Sequence, residues 1–270
     1  MTQDIWLAAH PYLQPVAELQ AQVAAASANV PVICSAMPDW DDYRHDYQKG
    51  IPLLQSSHAA IDLQPAERIM VLLLEKLNSF LPERLATESR DLDDQLQNEA
   101  DAPRRALGWL LGRDVFEPRH PGLFRYLGWT ALARYLGPVV NVFNNWRDED
   151  RWLRPYCPTC GSAPAMSQLV SIDSGHCRLL SCGCCLTRWR FRRMGCPFCE
   201  AQDAHRLTVL GIAGEGNLRI DYCESCHAYL KTYTGEGNEG VFLADWTSLH
   251  LDLVACDHGL KRLAASLYEL

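Results

Sequence analysis

The chain has 270 residues, 48% hydrophobic and 21% charged, with a formal net charge of −8 and twelve cysteines. That length carries one large domain or two modest ones around a substantial core, and the composition is that of an ordinary globular protein. A net-acidic chain is a poor fit to non-specific nucleic-acid binding, which rests on Lys and Arg contacts to phosphate. Nowhere do 18 uncharged apolar residues run together, so no membrane insertion is expected. The opening Met1-Thr2-Gln3-Asp4-Ile5 has neither a basic start nor an apolar run, so no export signal is expected. With eight cysteines in metal-type pairs rather than a disulfide pattern, the cytoplasm is the expected compartment.

The acidity is uneven. Residues 1–150 hold 13 Lys/Arg against 21 Asp/Glu, and residues 151–270 hold 12 of each. An acidic first half suits a basic partner, although most such charge is simply a solvated surface.

In chain order, residues 16–26 read as an Ala/Gln-rich helix, broken afterwards by Pro31 and Pro38. Residues 39–57 read as irregular, with Lys49-Gly50-Ile51-Pro52-Leu53-Leu54 a loop ending in an apolar anchor. From Asp62 the pattern is helical: Pro65 suits a first turn, and Ile69, Leu72, Leu73, Leu77 and Phe80 recur at helical spacing. After Pro82, Leu85, Leu92 and Leu96 space out a more acidic helix. Pro103 begins another, with Leu107, Leu110 and Leu111 on one face and Gly112 near its end. Pro121 precedes a helix over 123–136 that stops before Gly137-Pro138, and a last short helix covers 139–146. The first half is therefore expected to be a bundle of five or six helices. The run Arg147-Asp148-Glu149-Asp150-Arg151 marks its boundary.

Beyond that boundary the composition changes: Cys34 alone precedes it, and eleven cysteines follow. Four Cys-x-x-Cys pairs stand out, Cys157/Cys160, Cys182/Cys185, Cys196/Cys199 and Cys223/Cys226. The two-residue gap lets one tight turn aim two sulfurs at one metal, and a tetrahedral thiolate site takes two such turns. Between Cys160 and Cys182 lie 21 residues, between Cys199 and Cys223 lie 23, and only ten separate Cys185 from Cys196. Each long interval reads as a β-hairpin: 166–172 and 177–180 flank Asp173-Ser174-Gly175, and 207–212 and 218–222 flank Gly214-Glu215-Gly216-Asn217. Knuckle, hairpin, knuckle and short strand, then the same again, is an internal repeat of about 40 residues.

A hairpin returns the chain to its start, which favours the consecutive pairing of knuckles; an interleaved pairing is the alternative. The expected cofactors are two metal ions, iron or zinc, each in a four-cysteine site. Thioredoxin-like chemistry fits less well, since it places one Cys-x-x-Cys at the head of a helix in a βαβ context. Gly161 suits the left-handed turn of a metal knuckle, and Pro158 and Pro197 stiffen theirs. Cys184 reads as spare, Cys34 and Cys256 as small core residues. His176, Cys177, His205 and His258 read as packed or solvent-facing, and His227 is the one residue weighed as a substitute ligand. The run Arg188-Trp189-Arg190-Phe191-Arg192-Arg193 reads as an edge strand with Arg188, Arg190 and Arg192 on one face, a candidate partner-binding surface. Residues 245–270 return to helical periodicity through Leu249, Leu253, Leu260, Leu263 and Leu267, with Gly259 a break point. This tail is expected to pack on the second module or on the first domain. No Ser/His/Asp set, P-loop, dinucleotide fingerprint or HExxH occurs, so no catalytic centre is expected.

The fold class expected is α+β: an α-helical domain over 1–150, a first four-cysteine module over 151–194, a second over 195–244, both rubredoxin-like or zinc-ribbon, and a C-terminal helical tail over 245–270. Several phrases together resemble the formate dehydrogenase accessory protein family, the FdhE-like proteins. They are Gly50-Ile51-Pro52-Leu53-Leu54, Tyr156-Cys157-Pro158-Thr159-Cys160-Gly161-Ser162-Ala163-Pro164, Cys182-Gly183-Cys184-Cys185-Leu186-Thr187-Arg188-Trp189, Gly195-Cys196-Pro197-Phe198-Cys199, Tyr222-Cys223-Glu224-Ser225-Cys226-His227-Ala228-Tyr229-Leu230-Lys231 and Leu251-Asp252-Leu253. His227 and Glu200 stand where such a knuckle commonly carries Gly, which weakens the expected turn geometry of the second module. The resemblance implies a non-enzymatic, cytoplasmic maturation factor. Its implied partner is the catalytic subunit of a twin-arginine-exported formate dehydrogenase, bound before export. Of the functional positions, it carries over the eight paired cysteines. The alternatives are a zinc-ribbon nucleic-acid module, supported only by the arginine strand, and a rubredoxin-type electron carrier.

Overall fold

The computed structural model describes residues 2–31, 36–59, 61–77, 81, 83–173 and 175–268. Cys34, Phe80, Pro82 and Ser174, each given a role from sequence, lie outside the described residues. In chain order the helices are α1 (Gln3–Ala9), α2 (Gln14–Ala28), α3 (Trp40–Lys49), α4 (Gln64–Leu77), α5 (Glu83–Asn98), α6 (Ala102–Leu110), α7 (Pro121–Trp146), α8 (Glu149–Trp152), α9 (Glu239–Phe242) and α10 (Leu249–Asp257). The strands are β1 (Pro164–Ile172), β2 (Gly175–Cys182), β3 (Arg188–Phe191), β4 (Leu207–Gly211), β5 (Leu218–Cys223) and β6 (Tyr229–Tyr233). Helices and a mixed sheet make the α+β fold expected. Among the described residues no helix is long and apolar enough to cross a membrane.

Contacts divide the chain into two compact units. One comprises Met1–Gln14, Trp40–His58 and Arg147–Ser266, the other Pro15–Asp39, Ala59–Trp146 and Leu267–Leu270. Two stretches read as parts of the helical domain, around α1 and α3, thus group with the cysteine-bearing residues.

In the helical unit, α4 buries Ile69, Met70, Leu73, Leu74 and Leu77, the stripe that its 3.6-residue period dictates. Helix α5 buries Leu85, Leu92 and Leu96, as its spacing required. The expected break at Gly137-Pro138 does not occur: α7 runs through Pro138. Proline removes one backbone donor and crowds the preceding turn. Here Leu132, Tyr135 and Leu136 before it and Val139 and Phe143 after it are all buried, and that continuous apolar face outweighs the local cost, since each such side chain contributes about 1.5–3 kcal/mol on burial. The Tyr135 hydroxyl donates to the Asp62 carbonyl at 2.7 Å and anchors the middle of the helix.

Helix α3 was expected to be irregular because its sequence is polar on nearly every side. Its buried residues, Tyr43, Asp46 and Tyr47, still fall at i, i+3 and i+4. Asp41 and Asp42 open it, Lys49 closes it, and Gly50 follows at φ +82°, the left-handed residue that terminates helices.

The six strands form one sheet in the order β3-β2-β1-β6-β5-β4. Both expected hairpins are present, β1 with β2 and β4 with β5, and β3 and β6 are the short strands that complete each repeat. Because the second repeat is placed beside the first in the same sense, its third strand, β6, meets β1 in parallel, pairing Met166 with Lys231, Ser167 with Thr232 and Gln168 with Tyr233. The apolar core beside this sheet joins Leu218, Ile220, Tyr229 and Tyr233 to Phe242, Leu251 and Ala255. The tail therefore packs on the second module, one of the two sites expected for it. It is not helical to the end, however. Gly259 stops α10 at φ +69°, and the Leu260 amide donates to the Ala255 carbonyl. Lys261 then pairs with the second module, its amide donating to His227 and its carbonyl accepting from Tyr229. Leu251 and Ala255 face the core, while Leu253 and Leu263 are exposed.

Candidate metal centres

The four Cys-x-x-Cys turns are copies of one backbone motif. In each, the amide of the first cysteine donates to the carbonyl five residues on: Cys157 to Ser162, Cys182 to Thr187, Cys196 to Ala201 and Cys223 to Ala228, at 2.9–3.0 Å. The residue after the second cysteine is left-handed every time, Gly161 at φ +83°, Leu186 at +62°, Glu200 at +57° and His227 at +58°. Gly161, Glu200 and His227 donate their amides back to the first cysteine's carbonyl. The second module therefore keeps the turn geometry despite lacking glycine, and Leu186 shows the same in the first. The glycine preference is real, because a Cβ at positive φ costs about 1–2 kcal/mol; the paired backbone bonds outweigh it.

These turns gather the sulfurs in the consecutive pairing. Cys157, Cys160, Cys182 and Cys185 form one cluster and Cys196, Cys199, Cys223 and Cys226 the other, all Sγ atoms of a cluster lying within 4.8 Å of one another. In the first, Cys157 and Cys185 are 3.4 Å apart and Cys160 and Cys182 are 3.5 Å apart. In the second, Cys196–Cys226 and Cys199–Cys223 are each 3.7 Å. Four sulfurs about 2.3 Å from a central ion stand about 3.8 Å apart on a tetrahedron's edges. Both clusters can hold a metal ion; the second matches that edge closely, and the first is slightly contracted.

The first cluster is wholly buried. Ser162 Oγ lies 3.3 Å from Cys160 Sγ, Thr187 Oγ1 lies 3.3 Å from Cys185 Sγ, and the Thr159 and Thr187 hydroxyls join the two knuckles at 2.8 Å. The loop read as an apolar anchor supports this site directly. The Leu53 amide donates to Pro158 at 2.9 Å and the Leu54 amide to Thr159 at 2.8 Å, while the Tyr156 hydroxyl donates to Gly50. Its motif was visible in the sequence, but its attachment to the knuckle was not. Burial raises the Cys160 thiol and hydrogen bonding among the thiols, Cys157 first, raises Cys182. Cys185 goes down, because hydrogen bonds from Cys157, Cys160, Cys182 and Thr187 overcome its burial. The cluster alone thus favours few ionised sulfurs, and four thiolates together require a cation among them.

The second cluster is more open, with Cys199 exposed and Cys226 half-buried. Burial raises Cys196. Cys223 is held down to about 7: burial opposes ionisation, and the amides of Cys226 and Ser225 with the neighbouring thiols outweigh it.

Cys184 is buried beside the first cluster without joining it, and its amide points at Cys182 Sγ. Among the described residues His227 joins neither cluster. Cys256, read as a core residue, is exposed, because Ala255 takes the core position. Strand β3 is an edge strand, with Trp189 and Phe191 buried. Arg188 bonds Gln168, and Arg190 pairs with Asp150. Two of the three arginines weighed as partner-binding are thus engaged within the chain, and Arg192 is exposed.

No family model matches the chain. It is similar to an FdhE homolog of Aquifex aeolicus, 30% identical over 137 residues, 49% of this chain and 48% of the relative. It is similar also to FdhE of Salmonella paratyphi A, 32% identical over 139 residues, 50% of this chain and 44% of the relative. These matches span about half the length of those relatives. The FdhE homolog of Pseudomonas aeruginosa aligns more fully, 28% identical over 95% of this chain and 82% of its own length. The crystal structure of the FdhE protein from Pseudomonas aeruginosa shares the fold, with a TM-score of 0.64 and 24% identity over 95% of this chain and 88% of that one. The resemblance read from the sequence phrases is borne out.

Proposed function

We propose that this chain, FdhE-like in sequence and fold, is a non-catalytic accessory factor for the maturation of a respiratory formate dehydrogenase. In this reading it acts in the cytoplasm and binds the immature, twin-arginine-exported catalytic subunit. The observation that carries the proposal is the likeness to FdhE proteins along 95% of the chain, joined to two four-cysteine clusters on one sheet. The eight paired cysteines are the proposed ligands of two iron or zinc ions. The proposed metal modules are 151–194 and 195–244, following the proposed helical domain over 1–150 and preceding the proposed tail. Arg192, with Arg190 beside it on the edge strand, is the proposed partner contact. Intramolecular engagement of Arg188 and Arg190 and the net acidity argue against a nucleic-acid surface.

The test is to tag the protein, purify it gently from its native host and identify what accompanies it. Recovery of a formate dehydrogenase catalytic subunit is expected. Recovery of RNA, ribosomes or polymerase instead would overturn the proposal and make the arginine strand the working surface.

A further inference from the structure

A third convergence of metal-ligating atoms lies in the cysteine-bearing unit, away from both sulfur clusters. His10 follows α1, Glu215 sits in the turn between β4 and β5, and His250 is in the first turn of α10. Their ligand atoms lie within 4.8 Å of one another. His10 Nε2 is 3.1 Å and His250 Nε2 is 3.0 Å from the same oxygen, Glu215 Oε1. His10 is 7% and Glu215 8% exposed, so neither is solvated in the ordinary way.

Hydrogen bonding accounts for only part of this arrangement. His10 Nδ1 lies 2.9 Å from the Trp6 carbonyl, which only accepts, so Nδ1 carries the ring proton. Nε2 faces Glu215 Oε1, to which only the imidazolium form could donate; in the other form Nε2 offers a lone pair suited to a cation. His250 Nε2 is close to that oxygen but not aligned for a hydrogen bond, and His250 Nδ1 has no partner among the described residues. Glu215 Oε2 is likewise buried without a partner. Buried polar atoms are seldom left so, and three in one place point to a missing positive group.

A cation held by Glu215 and the two Nε2 atoms accounts for the buried carboxylate and for the misaligned His250 Nε2. Donors held about 2.0–2.2 Å from one ion stand about 3.0–3.5 Å apart when adjacent in its coordination shell, which is the spacing of Glu215 Oε1 from each imidazole. A histidine whose far nitrogen donates to a backbone carbonyl is the usual orientation of a metal-bound imidazole. Trp6 stacks on His10 at 3.8 Å, and the Tyr12 ring stands edge-on to His10 and His250 at 5.8 and 5.6 Å. This aromatic shell fixes both ring planes.

We propose that His10, Glu215 and His250 form a third metal site, for a divalent first-row transition-metal ion, that staples the N-terminal segment to the second cysteine module. Two imidazoles and a carboxylate suit zinc or ferrous iron and leave at least one coordination position for water or another ligand. The proposal is independent of the accessory role proposed above.

The test is cobalt(II) titration of the metal-free full chain. Cobalt in thiolate sites gives intense sulfur charge-transfer bands, whereas a nitrogen/oxygen site gives only weak visible ones. The wild type is expected to take up about three equivalents, one of them without added charge-transfer intensity, and Glu215→Gln and His10→Gln about two with the thiolate bands unchanged. Those bands also report whether each variant is folded. Saturation of the wild type at two equivalents, or three retained by a folded Glu215→Gln, would overturn the site. X-ray absorption of the zinc-loaded wild type needs no variant: nitrogen or oxygen neighbours at about 2.0–2.1 Å are expected, and a pure sulfur shell at about 2.3 Å refutes it.

Discussion

Lys231 is fully buried in β6 and lies 2.7 Å from Asp245 and 2.9 Å from Asp252. Arg262 bonds the same two carboxylates at 2.7 and 2.8 Å, so two cations and two anions balance. Replacing Lys231 with Met removes one cation and leaves one buried anion in excess. Breaking a buried pair from one side costs about 3–5 kcal/mol. Because Arg262 still touches both carboxylates, the low end applies, about 3 kcal/mol. For a body of 150–250 residues each kcal/mol moves Tm by about 2–4 °C, so Lys231→Met is expected to melt about 6–12 °C lower. The assay is calorimetric melting of metal-saturated protein at neutral pH. The decisive comparison is Lys231→Met combined with Asp252→Asn, which restores charge balance. The amide oxygen of the introduced asparagine can still accept from the Tyr229 hydroxyl, which lies 2.6 Å from the Asp252 carboxylate. This double variant should melt above the single one despite carrying one more substitution. A double variant at or below the single one, or a single variant within about 2 °C of wild type, less than about 1 kcal/mol, would refute charge balance as the cause.

Burial alone would raise Asp245, but Lys231 and Arg262 hold it below the ordinary carboxylate range. Its stabilisation is therefore present above about pH 4 and lost as pH falls through the depressed folded value, and acid unfolding should begin at higher pH in Lys231→Met, read by circular dichroism. A chelator is expected to strip the open second cluster before the buried first one, giving two phases in the loss of thiolate charge-transfer absorbance from the cobalt-loaded chain; a single phase would count against the burial argument. Cys157→Ser and Cys196→Ser should each lower metal content and destabilise its own module, and full metal in both would sink the ligand assignment. Glu200→Gly and His227→Gly should each stabilise the loaded protein by up to about 1 kcal/mol in chemical denaturation, by relieving a left-handed residue. Gly161→Ala should do the opposite, because at φ +83° its Cβ would stand 2.4 Å from Gln55 Nε2.

What the sequence made legible is what local chemistry encodes. Cysteine spacing determines which turns can face one metal, and the interval between knuckles determines a hairpin, so both clusters were readable before any coordinates. The misses arose where a local rule met a tertiary force. Gly137-Pro138 is a strong break signal, but it lies inside an unbroken buried face. Helix α3 has few apolar residues because part of its buried face is Asp46, satisfied by Ser56 and His58, and hydropathy does not register a satisfied carboxylate. Leu253, Leu263 and Cys256 fit a helical period in the tail, yet the core selects Leu251 and Ala255. The His10, Glu215 and His250 convergence joins positions far apart in the chain, and no motif spacing predicts it.

The junction between the two modules was equally hidden. Only three residue pairs join β1 to β6; Met166 and Tyr233 belong to the apolar core, and the middle pair, Ser167 with Thr232, is polar. Ser167 bonds Thr232 at 2.7 Å, Thr232 bonds Asp221 at 3.0 Å, and Arg178 of β2 reaches Asp221 of β5 at 2.9 Å, all of them buried. Desolvation lowers the Arg178 guanidinium, and Asp221 opposes that shift. A buried polar seam stabilises only while every member keeps its partner. An apolar seam tolerates slippage, whereas here separation of the two hairpins would take from Arg178 its carboxylate partner, while Asp221 would keep only Arg219, 2.8 Å away on its own strand. The two four-cysteine clusters therefore share one sheet whose middle carries a buried ion pair. Arg178 belongs to the first cluster's hairpin and Asp221 lies two residues before Cys223, so this one ion pair ties the two cysteine-bearing hairpins together.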